Sequence, residues 1–279
     1  MTGAVPRIDL SVVVPVYNER DNLRPLVEEI VQVLAPGAAW DRLVPGGRSR
    51  VEIVLVDDGS DDGSSEVIAA LASERTDVRG LHLEVNRGQT AAFDAGFRDA
   101  RGRWVVTLDA DLQNDPRDAF RLLDALADHD AAVGYRAERR DDWIRRTSSW
   151  IANAVRNLLS GDDIIDTGCT LKAFRRECLA DLKLYRGMHR FLPTLLRLEG
   201  YRVVQLPVGH RPRTTGTSKY GVWNRMLAGF ADLLAVRWMS RRRLDYRIAR
   251  RSPPAPGEAV SPDAGAAVGD SSAASRGTA

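Results

Sequence analysis

Short apolar, β-branched runs alternate along this chain with stretches of helical periodicity, and that alternation limits the fold more than any other feature. Residues 10–16, 51–56, 81–85 and 131–134, and the run that begins at Trp104, read as strands. Each is too short for a helix. Between them, Leu23, Leu26, Val27, Ile30, Val31 and Leu34 recur on one helical face. Val67, Ile68 and Leu71 mark a second helix, 91–97 a third, and Phe120, Leu122, Leu123 and Leu126 a fourth. Strands joined through helices form right-handed βαβ units, so the expected fold is α/β, a mostly parallel sheet flanked by helices. Ligands of such sheets bind beyond the carboxyl ends of the strands. The polar turns of this chain all fall at those ends, which places them in one site.

The stretch 104–116 concentrates the chemistry. Its strand runs into Asp109-Ala110-Asp111-Leu112-Gln113, and Asp115-Pro116 then supplies a helix start, carboxylate at the cap and proline at the first helical position. If the strand geometry continues that far, alternation points Asp109 and Asp111 the same way. Two carboxylates that close repel unless a cation sits between them. Hard oxygen ligands in an open arrangement suit Mg2+ or Mn2+, with coordination positions left for phosphate oxygens. Taken alone, Asp-x-Asp reads more readily as a strand ending in a solvated acidic turn; its neighbours in the chain decide otherwise.

Composition excludes several classes. The 279 residues are 44% apolar and 28% charged, enough for a sizeable core under a soluble surface, and the formal charge of +2 gives no global field for nucleic acid. Acidic clusters lie in the first half and arginines gather later, around 136–146, 211–213 and 237–251. Two cysteines, Cys169 and Cys178, and a start without an export signal predict a reducing, cytoplasmic compartment. No apolar run reaches the roughly 18 residues that span a bilayer.

Other chemistries fail on spacing. From Asp58, the first, third and fifth positions of a calcium loop are Asp58, Ser60 and Asp62, but Ala69 stands where the closing glutamate belongs. A dinucleotide fingerprint, a P-loop and a G-x-S-x-G elbow are absent. His82, His129, His189 and His210 lack zinc-ligand spacing and read as structural or surface residues. Asp57, at a strand end, is placed to accept hydrogen bonds from a nucleobase or ribose, whereas Asp58 and Asp62 fit helix capping better. Arg136, Arg145, Arg213 and Lys219 suit phosphate, although each alone also reads as a solvated surface charge.

The ordered series VVVPVYNE, VDDGSDDGS, NRGQTAAFDAGF, TLDADLQNDP, DTGCTLKAFRR and HRPRTTGTSKYG resembles family 2 glycosyltransferases of the GT-A fold over roughly residues 8–239. Within them the chain is most similar to polyprenyl-phosphate glycosyltransferases, including dolichyl-phosphate mannosyltransferase. The resemblance implies that Pro15, Tyr17, Glu19, Asp57 and Lys219 bind the nucleotide sugar and that Asp109, Asp111 and Gln113 hold Mg2+ or Mn2+. It places Arg136, Arg145 and Ser149 at the lipid phosphate, and Arg213 with Lys219 on a mobile basic loop. Asp109, Asp111, Arg136 and Arg213 are then the catalytic set. Two departures stand out: relatives commonly carry carboxyl-terminal transmembrane helices, which this chain lacks, and the 36–50 loop is longer than usual.

The implied reaction is inverting, metal-dependent transfer of a sugar from a nucleotide-diphosphate sugar to undecaprenyl or dolichyl phosphate. An anionic acceptor needs no general base, which fits a chain with no evident catalytic histidine. Transfer to a glycan or protein hydroxyl is the alternative, with Asp166 the base it would need; a non-catalytic sugar-nucleotide-binding partner is a third. The expected organisation is a catalytic domain at 1–220, an amphipathic basic membrane-surface segment at 221–251, and a disordered tail at 252–279. Trp223, Met226, Leu227, Phe230, Leu233, Leu234 and Trp238 would form one apolar interfacial face, followed by Arg241, Arg242, Arg243 and Arg247. Expected partners are the donor, the lipid acceptor and the membrane surface, with no nucleic acid; a homo-oligomer or an integral membrane partner stays open. The expected location is peripheral, on the cytoplasmic face of the membrane.

Overall fold

The computed structural model describes residues 8–34, 40, 43, 50–136, 163–180, 182–212 and 222–244, with only the backbone for 222–228. Seven strands form one sheet: β1 (Leu10–Val16), β2 (Val51–Asp57), β3 (Val78–His82), β4 (Trp104–Thr107), β5 (Ala131–Arg136), β6 (Lys172–Arg175) and β7 (Val203–Val208). Their order across the sheet is β3-β2-β1-β4-β6-β5-β7. Around it lie α1 (Arg20–Val33), α2 (Ser64–Glu74), α3 (Gln89–Asp99), α4 (Asp118–Ala125), α5 (Glu177–Ala180), α6 (Leu192–Leu198) and α7 (Val222–Arg241).

Strand β1 is buried on both faces, which explains its unbroken apolar run. Period two sorts its side chains. Val12 and Val14 join Leu23, Leu26 and Ile30 of α1 in one core, while Val13 joins Phe93 and Phe97 of α3 in the other. Strands β1 to β4 are parallel where they pair, as the alternation predicts. Strand β6 is the exception. It runs antiparallel to both β4 and β5, with Lys172 opposite Thr107 and Arg175 opposite Trp104. Its amino end therefore lies at the carboxyl end of β4, and residues 166–170 arrive there with it.

Several expected boundaries move. Strand β3 covers Val78–His82 rather than 81–85: its register against β2 pairs Ile53 with Val78 and Asp57 with His82. Leu83 N–H then closes on the Asp57 carbonyl, and Val85 stands exposed on the way to the next turn. Helix α4 begins at Asp118, two residues beyond the expected proline. Asp115 nevertheless accepts the Arg117 N–H at 2.9 Å, so the capping bond forms on a preceding turn. In the 36–50 loop, Trp40 is buried edge-on to Phe120 and donates to the Leu34 carbonyl at 2.8 Å. Part of the apparent insertion thus plugs the core.

Helix α7 falls in the same compact unit as the sheet, which extends to Arg242; of the second unit, 243–279, Arg243 and Leu244 are described. The single apolar face expected for α7 is divided. Leu233 and Val236 are buried in the second core, while Phe230, Leu234 and Trp238 are exposed. The side chains of Trp223, Met226 and Leu227 lie outside the described residues. So do the helix expected at 143–159 with Arg145 and Ser149, the loop carrying Arg213 and Lys219, Arg247, and the tail.

The turn after β2 is held by Gly59 at φ +69°, where a Cβ would stand 2.6 Å from the Asn86 backbone nitrogen. Gly59→Ala should strain the backbone and push the 57–64 and 85–88 turns apart. A loss of about 1–3 kcal/mol is expected in urea unfolding, with an unchanged m-value; wild-type stability would refute this packing.

Candidate active site

Parallel pairing brings the ends of β1, β2 and β4 to one edge of the sheet. Beyond them a cavity of about 330 Å³ is lined by Pro15, Tyr17, Glu19, Asp58, Asp109 and Asp111, with Gly88 and Gln89 among its other walls. Five residues singled out in the sequence therefore share one cavity: Pro15, Tyr17, Glu19, Asp109 and Asp111. Asp57 is adjacent but turned away. Its carboxylate accepts the Ser60 N–H at 3.0 Å and lies 3.4 Å from His82 Nδ1. Asp58 faces the cavity wall instead, accepting the N–H groups of Arg87 and Gly88 at 2.7 and 2.8 Å. It is a clamp between two turns, not the helix cap its spacing suggested, and its burial pushes the carboxyl up. Asp62 does sit at the start of α2, accepting Ser64 N–H at 2.9 Å.

Backbone strain marks both polar turns. Asn18 and Leu112 are the non-glycine residues with positive φ among those described, at +56° and +61°. Leucine gains nothing locally from that conformation, so its surroundings must enforce it. It lies between Asp111 and Gln113, the residues that turn has to present.

Asp109 is tightly held. Its Oδ1 accepts Gln89 Nε2 at 2.9 Å, and its Oδ2 accepts the Thr170 hydroxyl at 2.6 Å. Asn114 Oδ1 lies 3.1 Å from the same hydroxyl and accepts the Asp109 N–H at 3.3 Å. Burial above all raises the Asp109 carboxyl to about 6, and Asp111 adds to the rise; the Thr170 bond and the nearby Lys172 ammonium oppose it. Lys172 is itself buried, bonded to the Cys169 carbonyl, and pushed down by that burial. Asp111 accepts its own turn's Gln113 N–H at 3.2 Å.

These residues fit a divalent cation. Two carboxylates face a shared cavity with one held in a raised, repelled state, which a cation would relieve. Among the described residues no three of His, Cys, Asp and Glu cluster at metal-ligand spacing. A cation here would thus take few protein ligands, as suits one that also binds phosphate oxygens and water. Gln113 is not among the residues lining the cavity; its Nε2 is turned toward the Arg211 carbonyl at 3.2 Å and His210 at 3.4 Å. Arg211 anchors this strap from the other side, with ion pairs to Glu29 and Asp115 at 2.8 Å each.

Arg136 is engaged otherwise. Its guanidinium forms a fork with Asp166 at 2.7 and 3.0 Å, and Asp166 also accepts the Gly168 N–H. The base required by a hydroxyl acceptor is therefore tied to a cation and a backbone donor. His189 supports the structural reading of the histidines: it is bonded to Thr90 at 2.7 Å, and burial pushes its ring down to about 3.

The sequence pattern did not single out Gln89, Thr170 and Asn114, which bond Asp109, or Lys172, whose charge lies near it. Gln89 opens a helix at a strand-end turn, a signal present in the sequence. Thr170 and Lys172 reach the site through an antiparallel strand, which local pattern does not reveal.

The Asp109 carboxyl generates a pH prediction. Its folded value exceeds that of an unfolded aspartate, so it favours folding when protonated, and that contribution is lost as pH rises through about 6. In EDTA, the wild-type melting temperature should therefore fall between pH 5 and 7.5 more than that of Asp109→Asn. Mg2+ should restore the wild type at the higher pH. Parallel pH profiles for the two proteins would refute the assignment.

The family model for glycosyl transferase family 2 matches residues 11–183. A dodecaprenyl-phosphate galacturonate synthase of Rhizobium johnstonii is 35% identical over 243 residues, covering 85% of this chain and 69% of that protein. An undecaprenyl-phosphate 4-deoxy-4-formamido-L-arabinose transferase of Aeromonas hydrophila is 39% identical over 215 residues, covering 76% and 63%. The chain thus spans about two thirds of the length of these relatives. Among solved structures, a mannosyltransferase of Pyrobaculum calidifontis in complex with GDP-Man and Mn2+ superposes with TM-score 0.54 at 21% identity, covering 86% and 73% of the two chains. Glucosyl-3-phosphoglycerate synthase of Mycobacterium tuberculosis with Mn2+ and UDP gives 0.58 at 18%, covering 84% and 80%. These two likenesses speak to the fold, a GT-A arrangement, and the sequence matches carry the kinship: the chain belongs to glycosyl transferase family 2.

Proposed function

We propose that this glycosyltransferase moves a sugar from a nucleotide-diphosphate sugar to a polyprenyl phosphate, giving a polyprenyl-phosphate sugar. The observation that carries the reading is the pair Asp109 and Asp111 at the mouth of a cavity also lined by Pro15, Tyr17 and Glu19. The names of the two relatives, dodecaprenyl- and undecaprenyl-phosphate enzymes, support the acceptor class.

The roles follow from chemistry. Pro15, Tyr17 and Glu19 line the nucleotide end, near Asp57, and Asp109, Asp111 and Gln113 would hold Mg2+ or Mn2+ at the diphosphate. When bound, such a cation offsets the charge gathering on the leaving diphosphate. An acceptor phosphate oxygen attacks the anomeric carbon as the bond to the leaving diphosphate breaks, which inverts the configuration. That nucleophile is anionic at neutral pH, so no residue has to remove a proton. The Asp166–Arg136 fork favours this over a hydroxyl acceptor, since an arginine-paired carboxylate is a weak base. Arg136, Arg145 and Ser149 would receive the acceptor phosphate, with Arg213 and Lys219 screening donor from acceptor.

A lipid acceptor requires the site to reach the headgroup layer. No helix among the described residues is long and apolar enough to cross a membrane. Helix α7 offers a peripheral means. Phe230, Leu234 and Trp238, four residues apart, are exposed by 52%, 46% and 63% while Leu233 and Val236 face the core. Arg241 and Arg242 are exposed at its end, with Arg243 next in sequence. Each arginine contributes about 1 kcal/mol near an anionic surface. On this reading the protein rests on the cytoplasmic face of the membrane, and 221–251 serves as its surface segment.

The test is incubation of purified protein with Mg2+, a short polyprenyl phosphate and a panel of radiolabelled nucleotide sugars. Label from one of them should enter the organic phase, and Asp111→Ala should lower that rate at least about a hundredfold. Transfer only to water-soluble glycans would contradict the proposal. For the membrane surface, the protein should sediment with anionic liposomes, less at high salt, and Phe230→Ser/Trp238→Ser should reduce sedimentation. Undiminished sedimentation of that folded variant would remove α7 from the interface.

A further inference from the structure

A second, larger cleft lies at the opposite edge of the sheet. Its volume is about 640 Å³, and Arg98, Arg101, Arg103 and Arg176 stand around a floor that includes Phe97 and Leu179. The position follows from topology. Arg101 and Arg103 precede β4, and Arg176 follows β6, whose last residue pairs with the first of β4. At about 3.3 Å per residue, Trp104 and Asp109 are separated by roughly 16 Å along the strand. This cleft is therefore not part of the cavity at Asp109.

Most of its charge has no acidic partner among the described residues. Among the described residues, Arg98 pairs with Asp94, but no carboxylate pairs with Arg101, Arg103 or Arg176. Arg103 lies over the Trp104 ring at 4.8 Å, and Arg176 reaches the Ala100 carbonyl. Glu177 is the acidic group in the lining. Among the described residues, three guanidinium groups without a carboxylate partner, Arg101, Arg103 and Arg176, thus line a cleft whose acidic group is Glu177.

The wall is also preorganised. Glu52, 3% exposed, accepts the Arg101 N–H at 2.7 Å, and buried Ser11 accepts the Gly102 N–H at 2.8 Å. Arg79 holds the other oxygen of Glu52 at 3.0 Å, and Ser11 donates to the first at 2.6 Å. Buried groups consequently fix the backbone from which Arg101 and Arg103 project. Burial of one glutamate and one serine to hold a surface turn is more than solubility requires.

We infer that this cleft is a second binding site, for a phosphate- or diphosphate-bearing molecule with a small apolar portion. Guanidinium forks match phosphate oxygens, the apolar floor accepts the organic part, and the volume suits a nucleotide-sized ligand. Both a soluble organic phosphate and an anionic lipid headgroup have this chemistry.

Calorimetric titration with inorganic pyrophosphate in EDTA tests it, because without a cation the carboxylates at Asp109 and Asp111 repel the same probe. A saturable binding component that depends on this cleft is expected, whatever the basic groups assigned to the acceptor phosphate add. Arg101→Gln/Arg103→Gln should weaken it about tenfold or more, while Arg213→Gln, on the other basic segment, should leave it in place. Retained binding of UDP or GDP with Mg2+ shows that the double variant is folded. Displacement of pyrophosphate by phosphatidylglycerol vesicles, but not phosphatidylcholine vesicles, assigns the cleft to a headgroup; persistence assigns it to a soluble phosphate. Absence of pyrophosphate binding, or binding untouched by the double variant, overturns the inference.

Discussion

Burial of the Asp109 carboxylate, with Asp111 beside it, is the constraint around which the rest of the site is built. Two carboxylates separated by a single residue at a buried strand end cost stability unless something offsets them. Here the offset is partial. Thr170 and Gln89 each donate to Asp109, Lys172 lies close by, and burial, with Asp111 adding to it, still raises the carboxyl to about 6. A fold optimised only for stability would replace one of the two. Keeping both, at a turn strained through Leu112, leaves a site whose electrostatics a cation and a diphosphate would complete under the proposed function.

The sheet supplies that arrangement through one reversal. Were β6 parallel to β4, its amino end would lie at the far edge, and Asp166, Thr170 and the fork to Arg136 would be lost from the site. Antiparallel pairing places a serviceable polar segment opposite the turns of β1, β2 and β4. The same reversal carries Arg176 to the other edge, beside Arg101 and Arg103. One topological choice thus furnishes both clefts.

Much of this was legible in the sequence, for physical reasons that differ by element. Strand β1 could be read because burial on both faces requires seven consecutive residues without a charge. Asp109 and Asp111 stood out because acidic pairs at strand ends have few structural uses. Strand β3 was misplaced because Val78-Arg79-Gly80 has little apolar pattern, and its register comes from β2. The division of labour between Asp57 and Asp58 was hidden too, since backbone N–H groups from 87 and 88 choose between two adjacent carboxylates. The split face of α7 depends on how the helix rolls against the second core, which its periodicity alone does not set.

The most direct measurement is anomalous scattering from crystals grown with Mn2+ and a nucleoside diphosphate. The account predicts one manganese peak at coordinating distance from Asp111 and from the diphosphate oxygens, with Gln89 and Thr170 still bonded to Asp109. A diphosphate held in the cavity with manganese bound elsewhere, or with none, would contradict it.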